Sequence, residues 1–353
     1  MINETAAEGQ KWVFITFGLI ETTCAIIGAP GNALILSYFI FKLKSKDRSA
    51  STFLYIWISL VDLVICLLNF ASAVSDFNLG EAAMFGNKHF CNIAGFLWNV
   101  SKHMSVFMIA VLSIARTVTI TFPFLKVTRV CVTIPVIIYL IILVVQSSLP
   151  FVFLTDLGTG GYTYEIEYAF CFFYIHQVFE NESLPYQILN NWEAFGNTLL
   201  PLPIITISCC VTVYQLSRSG IRNYEGEKTK REATITILIL TGVFIALNTP
   251  ICLMWFLSLP WVHRDGWEWV SKLFGDSFLT CIKLIAFTSF GINSLVNVVV
   301  YFCRLKGLRQ HFREMIRKPE VLVRRNQVDA RRSGLCIRNQ TQDINLREQN
   351  PPN

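Results

Sequence analysis

Long apolar stretches alternate with short polar seams along the whole chain. Seven stretches are apolar on every helical face: 12–41, 51–77, 92–118, 130–154, 196–215, 233–260 and 277–303. A helix of about 20 residues crosses about 30 Å of hydrocarbon, so each is a candidate membrane span. A barrel would instead show short alternating segments between turns, and these runs are long and continuous. The seams carry Pro, Gly, Asn and clustered charge, as loops do. The first stretch is too long for the apolar core of a cleavable leader and is expected to remain as a signal anchor. The pattern predicts an all-α membrane protein, a bundle of seven transmembrane helices.

Composition agrees: 53% of the 353 residues are hydrophobic, 15% are charged and the mean hydropathy is +0.48. Charge then sets the orientation, because Lys and Arg in short loops stay on the cytoplasmic side. The seams 42–50, 119–130 and 216–232, with the stretch 304–318, hold seventeen Lys and Arg, against Lys11, Lys88, Arg264 and Lys272 on the other side. The N-terminus is expected outside a plasma membrane. The net charge of +6 is a topology signal and gives no reason to expect nucleic-acid binding. Two glycosylation acceptors, Asn3 and Asn181, fall outside; Asn99 and Asn339 also match the pattern but fall in a span and in the cytoplasm.

After the seventh stretch, "FCRLKGLRQHFREMIRK" places Leu305, Leu308, Phe312, Met315 and Ile316 on one helical face. This predicts an amphipathic eighth helix on the inner leaflet. The expected divisions are an extracellular N-terminus at 1–11, a seven-helix domain at 12–303, the amphipathic helix at 304–318 and a disordered cytoplasmic tail at 319–353. Cys303 and Cys336 are open to acylation. Cys24, Cys66, Cys131, Cys209, Cys210, Cys252 and Cys281 read as small buried hydrophobes, and no Cys/His spacing suggests zinc.

Polar side chains at membrane depth are costly and usually face a bundle interior. The conspicuous ones are Asn32, Asp62, Lys102, His103, Arg116, Asn248, Lys283, Asn293 and Asn297. "GN" at Gly31-Asn32, "SLVDL" with Asp62, Cys91 followed 25 residues later by Arg116 in "SIARTVTITFPF", "FIALNTP" with Phe244 and Pro250, and "NSLVNVVVY" occur in that order. With these motifs the chain resembles the rhodopsin-like (class A) G-protein-coupled receptors over roughly residues 12–316. It also departs from them. The family's Asp-Arg-Tyr is Ala115-Arg116-Thr117, the sixth-helix acid falls on Lys230 with Glu232 close by, and the aromatic toggle is Asn248. Asn-Pro-x-x-Tyr becomes Asn297-Val298-Val299-Val300-Tyr301, the fourth-span tryptophan is absent, and the fifth-span proline is Pro201 or Pro203. These departures suggest a divergent invertebrate member, peptide- or chemoreceptor-like.

The resemblance implies roles for individual residues. Asn293 and Asn297 stack on one helical face, and in the family that face meets the positions of Asp62 and Ser105, with Ser294 beside them. Such a set can hold a sodium ion, with Asp62 and Ser105 as metal ligands, or pack the helices as a polar cluster without an ion. No other cofactor is expected. The disulfide of the family falls on Cys91 and Cys171. The ligand cavity falls on Trp98, Asn99, Lys102, His103, Asn248, Lys283 and Phe287, and a biogenic amine is disfavoured because amine receptors carry an acid at the position of Trp98. Lys102, His103 and Lys283 could recognise an anionic ligand group or pair with neighbouring acids. The loop 155–192 holds five acids, no Lys or Arg and many aromatics, a lid suited to a basic or amidated peptide. Arg116, Phe244, Pro250 and Tyr301 fall on the switch that docks a heterotrimeric G protein. The expected ligand is a neuropeptide or a small chemosensory molecule. A polytopic transporter or channel is the rival reading, although no repeat between halves is visible; no catalytic set converges, so no enzyme is expected.

Overall fold

A computed structural model describes residues 2–44, 49–77, 87–122, 124–125, 127–153, 163–165, 170–172, 200–218, 225–258 and 276–315. Among these, each predicted span is a helix. The first, α1, runs through Ile2–Thr23, a π-helical stretch at Cys24–Gly28, and Ala29–Lys44. It is followed by α2 (Ala50–Phe77), α3 (Lys88–Thr121), α4 (Arg129–Phe153), α5 (Pro201–Arg218), α6 (Glu225–Ser258) and α7 (Asp276–Arg304). Residues 306–315 form α8.

Residues 2–11, ahead of the expected span, are helical and form the first turns of α1. The π-helical stretch departs from the regular helix that the apolar run predicts. Pro30 lies just beyond it, and proline has no N–H to give to the carbonyl four residues back while its ring crowds that carbonyl, so a wider turn relieves both problems. α3 starts where the side-chain oxygen of Asn87 accepts from the backbone N–H groups of His89 and Phe90, a cap for two otherwise orphaned donors.

The bundle spans residues 1–304, and 305–353 form a separate unit. Within the bundle, α3 is central: it packs against α2, α4, α5 and α6. α7 closes the ring against α6, α2 and α1. Glycines allow the tightest of these approaches. A Cβ on Gly28 would stand 2.6 Å from Cys66 Sγ on α2, and one on Gly31 would strike the Val298 side chain on α7. The core between helices holds Ile35, Leu54, Ile65, Met108, Phe244 and Tyr301, all buried. The outward faces are just as apolar: Ile134, Ile138, Ile141 and Val145 of α4 are each more than half exposed. A face of this kind is unfavourable in water and suits lipid.

Among the described residues, Phe14–Leu43, Ala50–Val74, His89–Thr121 and Arg129–Ser148 are long and apolar enough to cross a membrane, with a shorter apolar stretch at Thr234–Thr249. Outside the helices, Thr163–Glu165 (β1) and Phe170–Phe172 (β2) pair antiparallel, Tyr164 opposite Cys171. Both strands lie against α3. Cys91 is disulfide-bonded; the side chain of Cys171, its expected partner, lies outside the described residues. The side chain of Asn3 also lies outside them, as do Asn181 and the tail after 315. Two cysteines read as buried, Cys131 and Cys210, are exposed, because they sit on outward helix faces. In α8, Leu308 is buried while Phe312 and Met315 are 39% and 44% exposed.

Candidate functional site

The centre of the bundle is a polar seam. Asp62 on α2 is fully buried, and both its oxygens are used by α7: Ser294 Oγ donates to Oδ1 at 3.0 Å and Asn297 Nδ2 donates to Oδ2 at 2.7 Å. Asn32 on α1 joins from the other side, its amide donating to the carbonyls of Gly28 at 3.0 Å and Ser294 at 3.3 Å. Three helices are thereby tied through side chains that the apolar runs made conspicuous. Asn293 and Ser105 are also buried, and neither the Asn293 amide atoms nor Ser105 Oγ has a hydrogen-bond partner. Buried polar atoms left this way are expensive, and no hydrogen bond joins either residue to Asp62. The donor set of one carboxylate with hydroxyl and amide oxygens fits a small hard cation better than a soft one.

Further along α7, Tyr301 is buried with its hydroxyl lacking a partner. Its ring is held edge-on by Tyr55 and Phe39, at centroid distances of 5.4 and 6.3 Å. Toward the C-terminal end of α3, Thr117 Oγ1 lies 3.0 Å from Thr212 Oγ1 and 3.0 Å from the Ser208 carbonyl on α5. Ser113 Oγ lies 3.4 Å from Thr241 Oγ1 on α6. Arg304 Nε donates to Thr236 Oγ1 at 3.4 Å. Hydroxyls therefore link α3, α5 and α6 around Arg116, where the sequence has no adjacent carboxylate.

At the other end, Lys102, His103, Asn248 and Phe244 line one cavity, together with Val106, Leu202, Cys252 and Phe290. Asn248 also donates to the Phe244 carbonyl at 2.8 Å, one turn back along α6. Trp98 is buried and meets Phe290 edge-on at 6.0 Å. Asn99 points elsewhere: its amide donates to Ser147 Oγ on α4 at 3.1 Å, which leaves it outside the cavity lining. The side chains of Pro250, Lys283 and Phe287 lie outside the described residues.

Three buried polar residues were passed over in the sequence. Glu21 on α1 is 1% exposed, and Asn69 and Ser72 on α2 are 0% and 1% exposed. Neither Asn69 amide atom nor Ser72 Oγ has a partner, and Asn69 packs directly on Gly291 of α7. A signal was available, since Asn69 lies seven residues from Asp62 and so shares its helix face.

Residues 31–301 match the family model described as "7 transmembrane receptor (rhodopsin family)". The chain belongs to this family. Among solved structures, the receptor is similar to squid rhodopsin, with a TM-score of 0.60 and 20% identity over 88% of this chain and 87% of that one; at that identity the likeness is one of fold. Among curated proteins it is similar to the platelet-activating factor receptor of Cavia porcellus, 19% identical across 89% of this chain and 90% of the relative. It also matches the B2 bradykinin receptor of Mus musculus, 27% identical over 139 residues, covering 36% of this chain and 34% of that relative. The B2 match thus spans about a third of that receptor's length. As a rhodopsin-family receptor, the protein is a multi-pass membrane protein.

Proposed function

We propose that this receptor sits in the plasma membrane with its N-terminus outside, binds an extracellular ligand in the outer half of the bundle, and promotes nucleotide exchange on a heterotrimeric G protein. The observation that carries the proposal is the buried seam of Asp62, Ser294, Asn297 and Asn32. It lies between the cavity of Lys102, His103 and Asn248 on one side and Arg116 with its hydroxyls on the other. A ligand that favours one packing of this seam shifts the population of both ends, which is how a receptor transmits without chemistry of its own.

The ligand class is a neuropeptide or a small chemosensory molecule carrying an anionic group for Lys102 and His103. The relatives are named for two different ligands, so neither is carried over. In the resting state a sodium ion would be held by Asp62 and Ser105, with Asn293, Ser294 and Asn297 around it; the unpartnered Ser105 and Asn293 atoms support that fit.

The test is nucleotide exchange on a panel of purified Gα subunits, with the receptor in nanodiscs. The expected result is receptor-dependent exchange on at least one subunit, lost in Arg116→Ala. Solute flux or ion current without exchange on any Gα subunit would favour a transporter or channel and sink the proposal.

A further inference from the structure

Arg116 is the one guanidinium that the resemblance places at the docking face, and its usual carboxylate neighbour is Ala115. The structure shows what surrounds it instead. A cavity between α3, α5 and α6 is lined by Arg116 and by the hydroxyl residues Ser113, Ser208, Thr212, Thr234 and Thr241. Arg116 Nε is buried and has no hydrogen-bond partner. Among the described residues, no carboxylate lines this cavity. The Ser113–Thr241 contact leaves a second free donor, because the pair has two hydroxyl hydrogens and uses one between the two oxygens. The Thr117–Thr212 pair lacks that surplus, since Thr117 also faces the Ser113 and Ser208 carbonyls.

A positive charge and a spare hydroxyl donor thus face one cavity with no negative group among the described residues to meet them. The side chain is part-exposed, so what the cavity leaves unmet is the buried Nε donor and the charge beside it, and one anion would meet both. The space is about 10 Å³, room for the centre of one water-sized particle. Of the common anions a monatomic one comes nearest to that size, a phosphate, a lipid headgroup or a peptide carboxylate being several times larger than a water.

We propose that this cavity binds a single halide ion, chloride under cellular conditions, which neutralises Arg116 in place of the missing carboxylate and holds α3 to α6. Binding stands on the cavity alone. Its effect on signalling rests on the reading of Arg116 given above: the ion keeps Arg116 inside the bundle and lowers exchange.

The experiment compares purified receptor in nanodiscs at about 150 mM sodium chloride, sodium bromide or sodium gluconate, so that sodium and ionic strength stay fixed. Chloride and bromide are expected to raise the melting midpoint by on the order of 2–4 °C over gluconate, the shift that modest ligand linkage gives a domain of this size. Thr241→Val keeps the side-chain shape while removing a hydroxyl, and should flatten the difference; Arg116→Lys, which removes Nε, should do the same. Anomalous scattering from bromide should place one ion beside Arg116. Equal midpoints in chloride and gluconate, a shift that survives both substitutions, or a water at that point would overturn the proposal. The side chain of Glu232 lies outside the described residues, so Glu232→Gln is the second control. A chloride shift that appears only in that variant would mean that the chain's own carboxylate occupies the site, and the proposal falls. Basal exchange on Gα, measured separately in gluconate, still decides the receptor reading whichever way the halide result goes.

Discussion

Asp62 accepts from two donors on α7, and no other acceptor is shown for the Asn297 amide. Asp62→Asn keeps the volume but turns one acceptor into an NH₂ group, which must face Ser294 Oγ or Asn297 Nδ2. Facing Ser294, the NH₂ donates to Oγ, which turns its own hydrogen to the Phe290 carbonyl at 3.0 Å, so no donor is stranded. The bond from Asn297 becomes a neutral one, a loss of about 1 kcal/mol, read as a lower melting midpoint of the purified receptor. The same substitution should abolish the rise in midpoint on replacing choline by sodium; a sodium effect that persists in Asp62→Asn would remove the ion from this seam. Asn69 gives the opposite sign. Both its amide atoms are buried without partners, so Asn69→Leu, close in volume, should raise the midpoint by relieving about 1–3 kcal/mol of unmet hydrogen bonding. If the midpoint drops instead, Asn69 is held by ordered water that the substitution evicts. These residues also mark what was legible in the sequence. Asp62 and Asn297 stood out because charge or amide in an apolar run is rare. Glu21, Asn69 and Ser72 are equally buried but were passed over, because a residue's identity shows its polarity and not the helix face on which it lands.

At the scale of elements, hydropathy located all seven helices because lipid demands length and apolarity, and those properties are written locally. Helix ends were less legible: α1 runs back to Ile2 and α6 starts at Glu225, since polar residues extend a helix as readily as they end it. Beyond the meeting of α2 and α7 at Asp62, which the resemblance implied, the contacts between helices were not legible, and glycine shows why. Gly31 and Gly242 look alike in sequence. A Cβ on Gly31 would drive into Val298 of α7, whereas one on Gly242 meets nothing within 4 Å. Gly31→Ala should therefore push α1 from α7 and cut surface expression, with overpacking of typically 1–3 kcal/mol. Gly242→Ala should stabilise α6 by about 0.5–1 kcal/mol through helix propensity. Surface expression and melting midpoints of the pair check the contrast; equal effects would mean that the close approach of α1 to α7 is wrong.

Across the whole molecule, signalling requires that the two ends of the bundle exchange packings together. The cavity beside Arg116 has room for about one water-sized particle; on the proposed mechanism, in which a partner enters there, the described packing is taken as the closed one. Thr117 shares its one hydroxyl hydrogen between the Ser208 carbonyl on α5 and the Ser113 carbonyl one turn back, and its oxygen can accept from Thr212. At 3.0 Å each, the Ser208 and Thr212 contacts join α3 to α5 in that packing. Thr117→Val keeps the branched shape and removes both. With each such bond contributing about 0.5–1.5 kcal/mol, and the open state requiring α3 and α5 to part, the substitution should shift the population toward open by roughly tenfold. Basal nucleotide exchange rises accordingly, and ligand-driven exchange gains little beyond it. The shift needs no change at the outer cavity, because α3 is one continuous helix from Lys88 to Thr121 and contacts four neighbours along the way. Thr117→Val together with Asp62→Asn separates the two levels: additive effects on exchange place the seam and the hydroxyl clasp in independent steps, while a non-additive result places both on one two-state element. A fall in basal exchange in Thr117→Val alone would assign those hydrogen bonds to the open state and reverse the direction argued here.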